Sequence, residues 1–344
     1  MKGIRRLAQH LNVSIGTVSR ALNGKPDVNE ETRKRVLAAA AELGYVPNQS
    51  GRALRKGSTG VIGLMMETSP ETAANSDNFF LGLMDGVQGA LARHNLDLVV
   101  LPCSTDENPA SYVQRIVGRR LVDAMILTST QRHDERLDFL SRSKIPFISL
   151  GRSGAGDSHP WIDLDFEGVA NLGVDRLVAQ SHSRIAVAVP PSDINLGFVF
   201  LEAYKAALQR HGIPFDPDLV IHAKSSEQGG YLAADQLLRM PNRPTALMLV
   251  YELMAIGVYR RLNEAKLQAG RDIAVIGFRE SPQSRFLSPT LTCFRLSLQA
   301  LGIAVAESLL ATMPEFQALY PQGEVHMLWP LELVEGESDT GLHR

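Results

Sequence analysis

The sequence predicts an α/β protein, a small all-α helix-turn-helix domain followed by a two-lobed body of doubly wound parallel sheets. Three observations carry that prediction. The first 60 residues show helical apolar spacing and no strand pattern. From Val61 onward, short apolar runs alternate with helical segments, the pattern of parallel sheets covered on both faces. The alternation runs through two sets, and 344 residues exceed the roughly 250 to 300 at which a single core stops growing.

The elements follow in order. Ile4, Leu7, Ala8 and Leu11 lie at i, i+3, i+4 and i+7 and define a first amphipathic helix. Asn12 and Val13 break it, and Ser14 is placed to cap a second helix, Ile15 to Leu22, which Asn23, Gly24 and Pro26 stop. Asn29 caps a third helix, whose Val36, Leu37, Ala40 and Leu43 are expected on one face before Gly44 ends it. In the body, VIGLMM, LDLVVLP, DAMILT and PFISLG read as one set of strands, with a helix over 79–94. IAVAV, DLVIHA, ALMLV and IAVIGF read as a second set, with helices near 167–180, 198–211, 228–239 and 253–267. Between head and body, PNQSGRALRKGST is polar, basic and glycine-bearing, a linker with a short conditional helix. The expected boundaries are 1–47 for the head, 48–60 for the linker with its short helix, and 61–344 for the body. In such sheets ligands sit outside the carboxyl ends of the strands, so the cleft between the lobes is the expected pocket.

Charge divides the chain the same way. Residues 1–60 hold eleven Lys and Arg against four Asp and Glu, a formal +7, which leaves −9 for the rest. A basic head on an acidic body points to a polyanion met by the head alone. The 44% apolar and 21% charged composition is that of a globular protein. No run reaches the roughly 18 apolar residues of a membrane span, and the N-terminus shows no signal core, so no membrane partner and a cytoplasmic, nucleoid-associated location are expected. Cys103 and Cys293, far apart in apolar contexts, are expected as buried thiols.

The second helix carries the chemistry. A helix reads the DNA major groove only when its leading side chains are short and can bond bases or phosphates. Ser14, Thr17, Ser19 and Asn23 can do so, Arg20 can grip a phosphate or a guanine, Ile15 can press on a thymine methyl, and Gly16 leaves room. Val18 and Leu22 are left to pack inward.

The order LAQHLNVSIGTVSRALNG followed by VNEETRKRVLAAAAELGYVPNQSGRAL strongly resembles the DNA-binding domain of the LacI family of bacterial transcriptional regulators. The resemblance implies that Ile15 to Leu22 is the recognition helix and that Tyr45 and Asn48 touch the DNA backbone. It also implies a hinge helix over about Asn48 to Arg55 in the minor groove, with Leu54 as its intercalating leucine. Asn29, Thr32 and Arg52 complete the residues expected at the DNA. An apolar wedge at a base step costs a few kcal/mol of unstacking and gains a kinked groove. Gly51 stands where the family usually has alanine, at a cost of about 1 kcal/mol of helix propensity, which makes the hinge more dependent on operator and dimer contacts.

The resemblance continues to about Val334 through DNFFLGLMDGV, STDENP, LVDAMILT, IPFISLGR, IDLDFEGV, EAYKAAL, ELMAIGVYRRL and GRDIAVIGF, and implies a periplasmic-binding-protein-like effector domain that takes sugars or related metabolites between its lobes. Departures lie at the expected ligand positions. Phe200 to Tyr204 replaces an Arg-Leu-x-Gly-Tyr opening, Tyr251-Glu252 an Asn-Asp pair, and Arg279-Glu280 an Asp-Asp pair. The expected effector set is Phe79, Asp165, Asn195, Phe200, Tyr251, Glu252 and Arg279, read as a sugar or glycoside pocket. Arg279 admits an alternative, a sugar acid or phosphorylated sugar, because guanidinium pairs bidentately with anions. GRSGAGDS at 151–158 is expected as a lobe-edge loop and His182 in a capping or surface role.

No phosphate loop, nucleophile elbow, H-E-x-x-H pair or metal-ligand spacing occurs, so no enzyme activity, cofactor or metal is expected. The reading is a ligand-responsive regulator that acts as a repressor and a homodimer, since one recognition helix reads only a half-site of a palindromic operator. Two rivals are a cytoplasmic sugar-binding or sugar-modifying protein with an accessory basic head, and a sequence-independent DNA binder.

Overall fold

The computed structural model of the chain describes residues 3–22, 24–45, 58–68, 79–156, 158–191, 193–321 and 326–340. It divides into two compact units, 1–60 and 61–344.

In the first unit, α1 (Ile4–Leu11), α2 (Ile15–Leu22) and α3 (Glu30–Glu42) close on a core of Leu7, Ala8, Val18, Ala21, Val28, Val36, Ala39 and Ala40. α1 ends on Asn12 in the left-handed region (φ 53°), a conformation asparagine tolerates, and its N–H returns to the Ala8 carbonyl. Thr17 N donates to Ser14 Oγ at 3.0 Å and Thr32 N to Asn29 Oδ1 at 2.7 Å, so both expected caps are made. The buried face of α3 is Val36, Ala39 and Ala40, with Leu43 half-buried, whereas Leu37 is 50% exposed. Leu37 therefore leaves the expected core face: one residue beyond Val36, it is rotated some 100° away from the neighbouring helices.

Among the described residues the second unit contains two six-stranded sheets. The strands and helices of the body are β1 (Val61–Thr68), α4 (Phe79–Ala92), β2 (Asp97–Ser104), α5 (Pro109–Gly118), β3 (Ala124–Leu127), α6 (Glu135–Ser143), β4 (Phe147–Leu150), β5 (Trp161–Leu164), α7 (Phe166–Ala179) and β6 (Ile185–Val189). There follow α8 (Asn195–Arg210), β7 (Val220–His222), α9 (Glu227–Arg239), β8 (Ala246–Leu249), α10 (Leu253–Glu264), β9 (Ala274–Arg279), β10 (Thr292–Arg295), α11 (Leu298–Thr312), β11 (His326–Trp329) and β12 (Glu332–Val334). Lobe 1 has the order β11-β5-β4-β3-β1-β2, all parallel, and lobe 2 the order β12-β10-β9-β8-β6-β7, with β12 alone antiparallel. β3, β5, β6, β8 and β9 are buried along their whole length, as strands covered on both faces must be.

The sequence marks four strands for each lobe, and the structure adds two to each. The chain leaves lobe 1 after β5, builds lobe 2 through β10, returns to lobe 1 with α11 and β11, and ends in lobe 2 with β12. α11 packs on α4 so closely that a Cβ on Gly302 would lie 2.2 Å from the Leu83 carbonyl oxygen. Residues after β12 lace lobe 2 together: Ser338 Oγ donates to the Val275 carbonyl at 2.6 Å, and the buried Asp339 accepts from Thr292 Oγ1 at 2.6 Å and from Arg176. Cys103 and Cys293 are buried, and burial raises both thiols, Cys293 to about 12. His182 is likewise buried, its Nδ1 2.9 Å from Thr245 Oγ1, and its backbone N–H donates to the Leu177 carbonyl at the end of α7, so of the two roles expected of it the surface one is corrected. Among the described residues no helix is long and apolar enough to cross a membrane.

Candidate nucleic-acid face and ligand cavity

α2 has two distinct sides. Val18 and Ala21 are buried, while Ser14, Ile15 (43% exposed), Gly16 and Arg20 lie outside and Thr17 and Ser19 are half-buried. Ser14 is part of the cap, with its Oγ 2.9 Å from Thr17 Oγ1. Arg20 Nε lies 3.4 Å from Asp27, with both side chains more than half exposed, so the ion pair is loose and the guanidinium remains accessible. A Cβ on Gly16 would meet nothing closer than Ser14 Oγ at 3.6 Å and Arg20 Nη2 at 3.8 Å. Packing within the head therefore does not require glycine at this position. Asn29 is spent on capping α3, and Tyr45, half-buried, packs against the head core. Asn23, Asn48, Gly51, Arg52 and Leu54 lie outside the described residues.

The body holds a cavity of about 530 Å³ between the carboxyl ends of the two sheets, walled by residues of both lobes. Phe79, Tyr251, Glu252 and Arg279, four of the seven residues expected at a ligand, line it. The other three expected residues are elsewhere. Phe200 is wholly buried in the lobe core, because it faces inward from α8, and Leu196, one turn earlier, reaches the cavity instead. Asp165 caps α7, accepting from Gly168 N at 2.8 Å. Asn195 stands between two lining residues, Ile194 and Leu196, but its amide crosses to donate to the Arg152 carbonyl at 2.9 Å, tying lobe 2 to lobe 1.

Three groups unmarked by the sequence reading shape the cavity. Asp163, at the end of β5, is 3% exposed, and Arg152 Nε lies 3.3 Å from its Oδ2. Burial pushes this carboxyl from 3.8 up to about 7, against the opposing pull of Arg152 and with a smaller push from Glu167. Arg152 also pairs with Glu167 of lobe 2 and covers the Trp161 ring at 5.6 Å. The first two residues of the loop after β4, Gly151 and Arg152, are thus part of the cavity wall. Glu67, at the end of β1, is raised chiefly by burial, with Arg136 pulling it down and Asp134 pushing it further up. Arg136 is itself 2% exposed and held by Asp134 through Nε at 2.9 Å and Nη2 at 2.6 Å. All three groups could have been sought at strand carboxyl ends, where the sheet rule places ligand contacts.

Arg279 does not face the cavity with an uncompensated charge. Its Nη2 bonds the Glu252 carboxylate, both side chains being almost wholly buried, and its guanidinium lies 5.3 Å from the centre of the Phe79 ring. This corrects the anion-gripping role the sequence offered Arg279, since a buried carboxylate already holds it. Burial pushes the Tyr251 phenol up, with an opposing hydrogen bond from Ser225. Among the described residues no group of His, Cys, Asp and Glu is arranged to hold a metal ion.

A helix-turn-helix head joined to a two-lobed body with an interlobe cavity defines a class, the ligand-sensing DNA-binding regulators. Residues 4–48 match the model of the bacterial regulatory proteins of the lacI family, and residues 174–338 match a periplasmic binding protein-like domain. The HTH-type transcriptional regulator AglR of Rhizobium meliloti is 32% identical over 96% of this chain and 92% of its own. The ribose operon repressor of Escherichia coli is 30% identical over 92% of this chain and 94% of its own. A solved complex of the transcriptional regulator CelR with cellobiose superposes with a TM-score of 0.71 at 25% identity, covering 98% of this chain and 100% of that one. The chain belongs to the LacI family, and these relatives are transcriptional regulators.

Proposed function

We propose that this protein is a sequence-specific DNA-binding repressor that acts in the cytoplasm as a homodimer, and that a small sugar or glycoside bound between its lobes switches its affinity for a palindromic operator. The observation that carries the DNA half is the outer side of α2: polar or small at Ser14, Gly16, Thr17, Ser19 and Arg20, with a glycine that the head itself does not need. An open position beside exposed donors suits a surface that must come close, as a major-groove edge does. The cavity supports the sensor half, since its volume lies within the roughly 300–1,000 Å³ of small-molecule sites. The names of the relatives support the rest, one a ribose operon repressor and one a regulator solved with cellobiose. In this reading residues 48–60 form the hinge, Leu54 wedges the central base step, and ligand and operator affinities are coupled reciprocally.

The test begins with an operator selected from random duplex DNA by the full-length protein. In fluorescence anisotropy at matched salt, Arg20→Ala is expected to lose about 1–3 kcal/mol of operator affinity, roughly 5- to 150-fold, and Leu54→Ala a comparable amount. Affinity for random DNA should change far less. Unaltered operator binding in both variants would refute the assignment. Equal affinity of the wild type for operator and random DNA would instead favour a sequence-independent binder.

A further inference from the structure

We infer that the interlobe cavity selects an uncharged ligand that joins a hydroxylated head to an extended apolar face, and that it excludes anionic sugars. This rests on the effector reading of the cavity proposed above and specifies the class of effector.

The first observation is the wall. Phe79 and Phe80 meet edge-on at 5.3 Å on the lobe 1 side, and Phe166 and Phe278 stack at 5.0 Å and 12° on the lobe 2 side. Met66, Met84 and several aliphatic side chains fill the gaps between them. Such a wall gains from apolar ligand surface removed from water and offers nothing to a hydroxyl.

The second observation is how the polar groups are spent. Glu252 holds Arg279, Arg152 is shared between Asp163 and Glu167, and Tyr251 is bonded to Ser225. Thr128 Oγ1 donates to the Met65 carbonyl at 2.9 Å, and Thr68 Oγ1 to the Cys103 carbonyl at 3.2 Å. These donors are therefore engaged within the protein. Acceptor capacity remains, because a carboxylate has about four lone-pair positions. Glu67 takes Arg136 Nη1 on Oε1 at 3.3 Å while its side chain stays 29% exposed. A ligand hydroxyl can donate to Glu67.

The third observation is sign. Among the described residues the acids lining the cavity are Glu67, Asp163 and Glu252 and the guanidiniums Arg152 and Arg279; burial keeps Asp163 largely protonated below about pH 7, and each guanidinium already touches a carboxylate, Arg152 that of Glu167 and Arg279 that of Glu252. A carboxylate or phosphate entering here would give up its water beside like charges, with both cations already neutralised. A neutral hydroxylated head carries no such cost, and its apolar extension is what the aromatic wall rewards.

The experiment is calorimetric titration of the full-length protein with matched sets built on several hexoses and pentoses: the free sugar, its methyl glycoside, its phenyl glycoside, its uronic or aldonic acid and its phosphate ester. For the sugar that binds, the phenyl glycoside is expected to bind at least tenfold tighter than the methyl glycoside, with a more negative heat-capacity change. The two anions should bind at least tenfold weaker than the neutral sugar. A methyl glycoside or free sugar that matches the phenyl glycoside, or an anion that binds best, overturns the inference and leaves the carbohydrate-effector reading standing. A panel in which nothing binds overturns that reading and the inference with it. Glu252→Gln gives a second test, because it unmasks Arg279: in the folded variant, verified by circular dichroism and a cooperative melt, affinity for the uronate should rise at least tenfold. No rise would overturn the role of Glu252 as the group that masks Arg279, and if the variant fails to fold the wild-type ratios decide.

Discussion

Asp163→Asn should stabilise the protein, and by an amount that grows with pH. The carboxyl sits at the end of β5 with 3% of its surface exposed, and burial lifts it from 3.8 to about 7 despite Arg152 beside it. A carboxyl raised on folding means that between pH 3.8 and 7 the native state holds a proton that the unfolded state has released. Stability therefore falls as pH rises through that window and levels off above it. At about 1.36 kcal/mol for each pH unit, the window of roughly three units corresponds to roughly 4 kcal/mol. Asparagine keeps the shape and stays neutral, so its advantage over the wild type should be between about 1 and 2 kcal/mol at pH 5 and approach roughly 4 kcal/mol at pH 8. The assay is urea denaturation at both pH values and fixed ionic strength, followed by tryptophan fluorescence. Both tryptophans, Trp161 in β5 and Trp329 in β11, belong to the sheet that carries Asp163, so the signal reports on lobe 1. An advantage equal at the two pH values, or a variant less stable than the wild type at pH 8, would show that Arg152 outweighs burial and would refute the reasoning.

Two further substitutions test the scaffold. Arg136→Met leaves Asp134 buried without its bidentate partner and removes the charge that restrains Glu67, so denaturation should show a loss of about 3–5 kcal/mol. A loss below about 1 kcal/mol would mean that the cluster does little to hold Glu67 and Asp134 in place. Gly302→Ala drives a methyl to 2.2 Å from the Leu83 carbonyl oxygen, and the α4–α11 contact should open at a cost of about 1–3 kcal/mol or more, seen as a lower melting temperature of the body.

The head was legible in sequence because its signals are local. Ser14 and Asn29 cap the helices they precede, and Val18 packs inward where the helical period places it. Leu37 shows the limit of that reading, since a helix with Val36, Ala39 and Ala40 inside has no room for every apolar residue on one face. In the body the long apolar runs declared eight strands, but the four-residue WIDL and TCFR carry a charge each, and α11 is apolar on nearly every side, which blurs its period. The cavity was half legible. Phe79, Tyr251, Glu252 and Arg279 stand where the family pattern puts ligand contacts, yet whether an aromatic faces a cavity or a core depends on one turn of helix, and Phe200 fell on the other side. Asp163 and Asp165 stand two positions apart at a strand end, and only the fold distinguishes the cavity carboxyl from the helix cap. The pairing of Arg279 with Glu252 joins residues 27 positions apart and has no local signature.

The interleaving of the lobes bears on how the protein is made. On the ribosome, β5 emerges long before β11, its neighbour in the sheet, and α4 long before α11, which covers it. At about 5–20 residues per second the gap between β5 and β11 lasts roughly 8 to 30 s, during which lobe 1 exposes an unpaired strand edge and an uncovered helix while the head is already complete. A chain cut short between β10 and β11 is then not a smaller sensor. It is a DNA-binding head attached to two unfinished sheets, and the cell's chaperones and proteases would meet it as such.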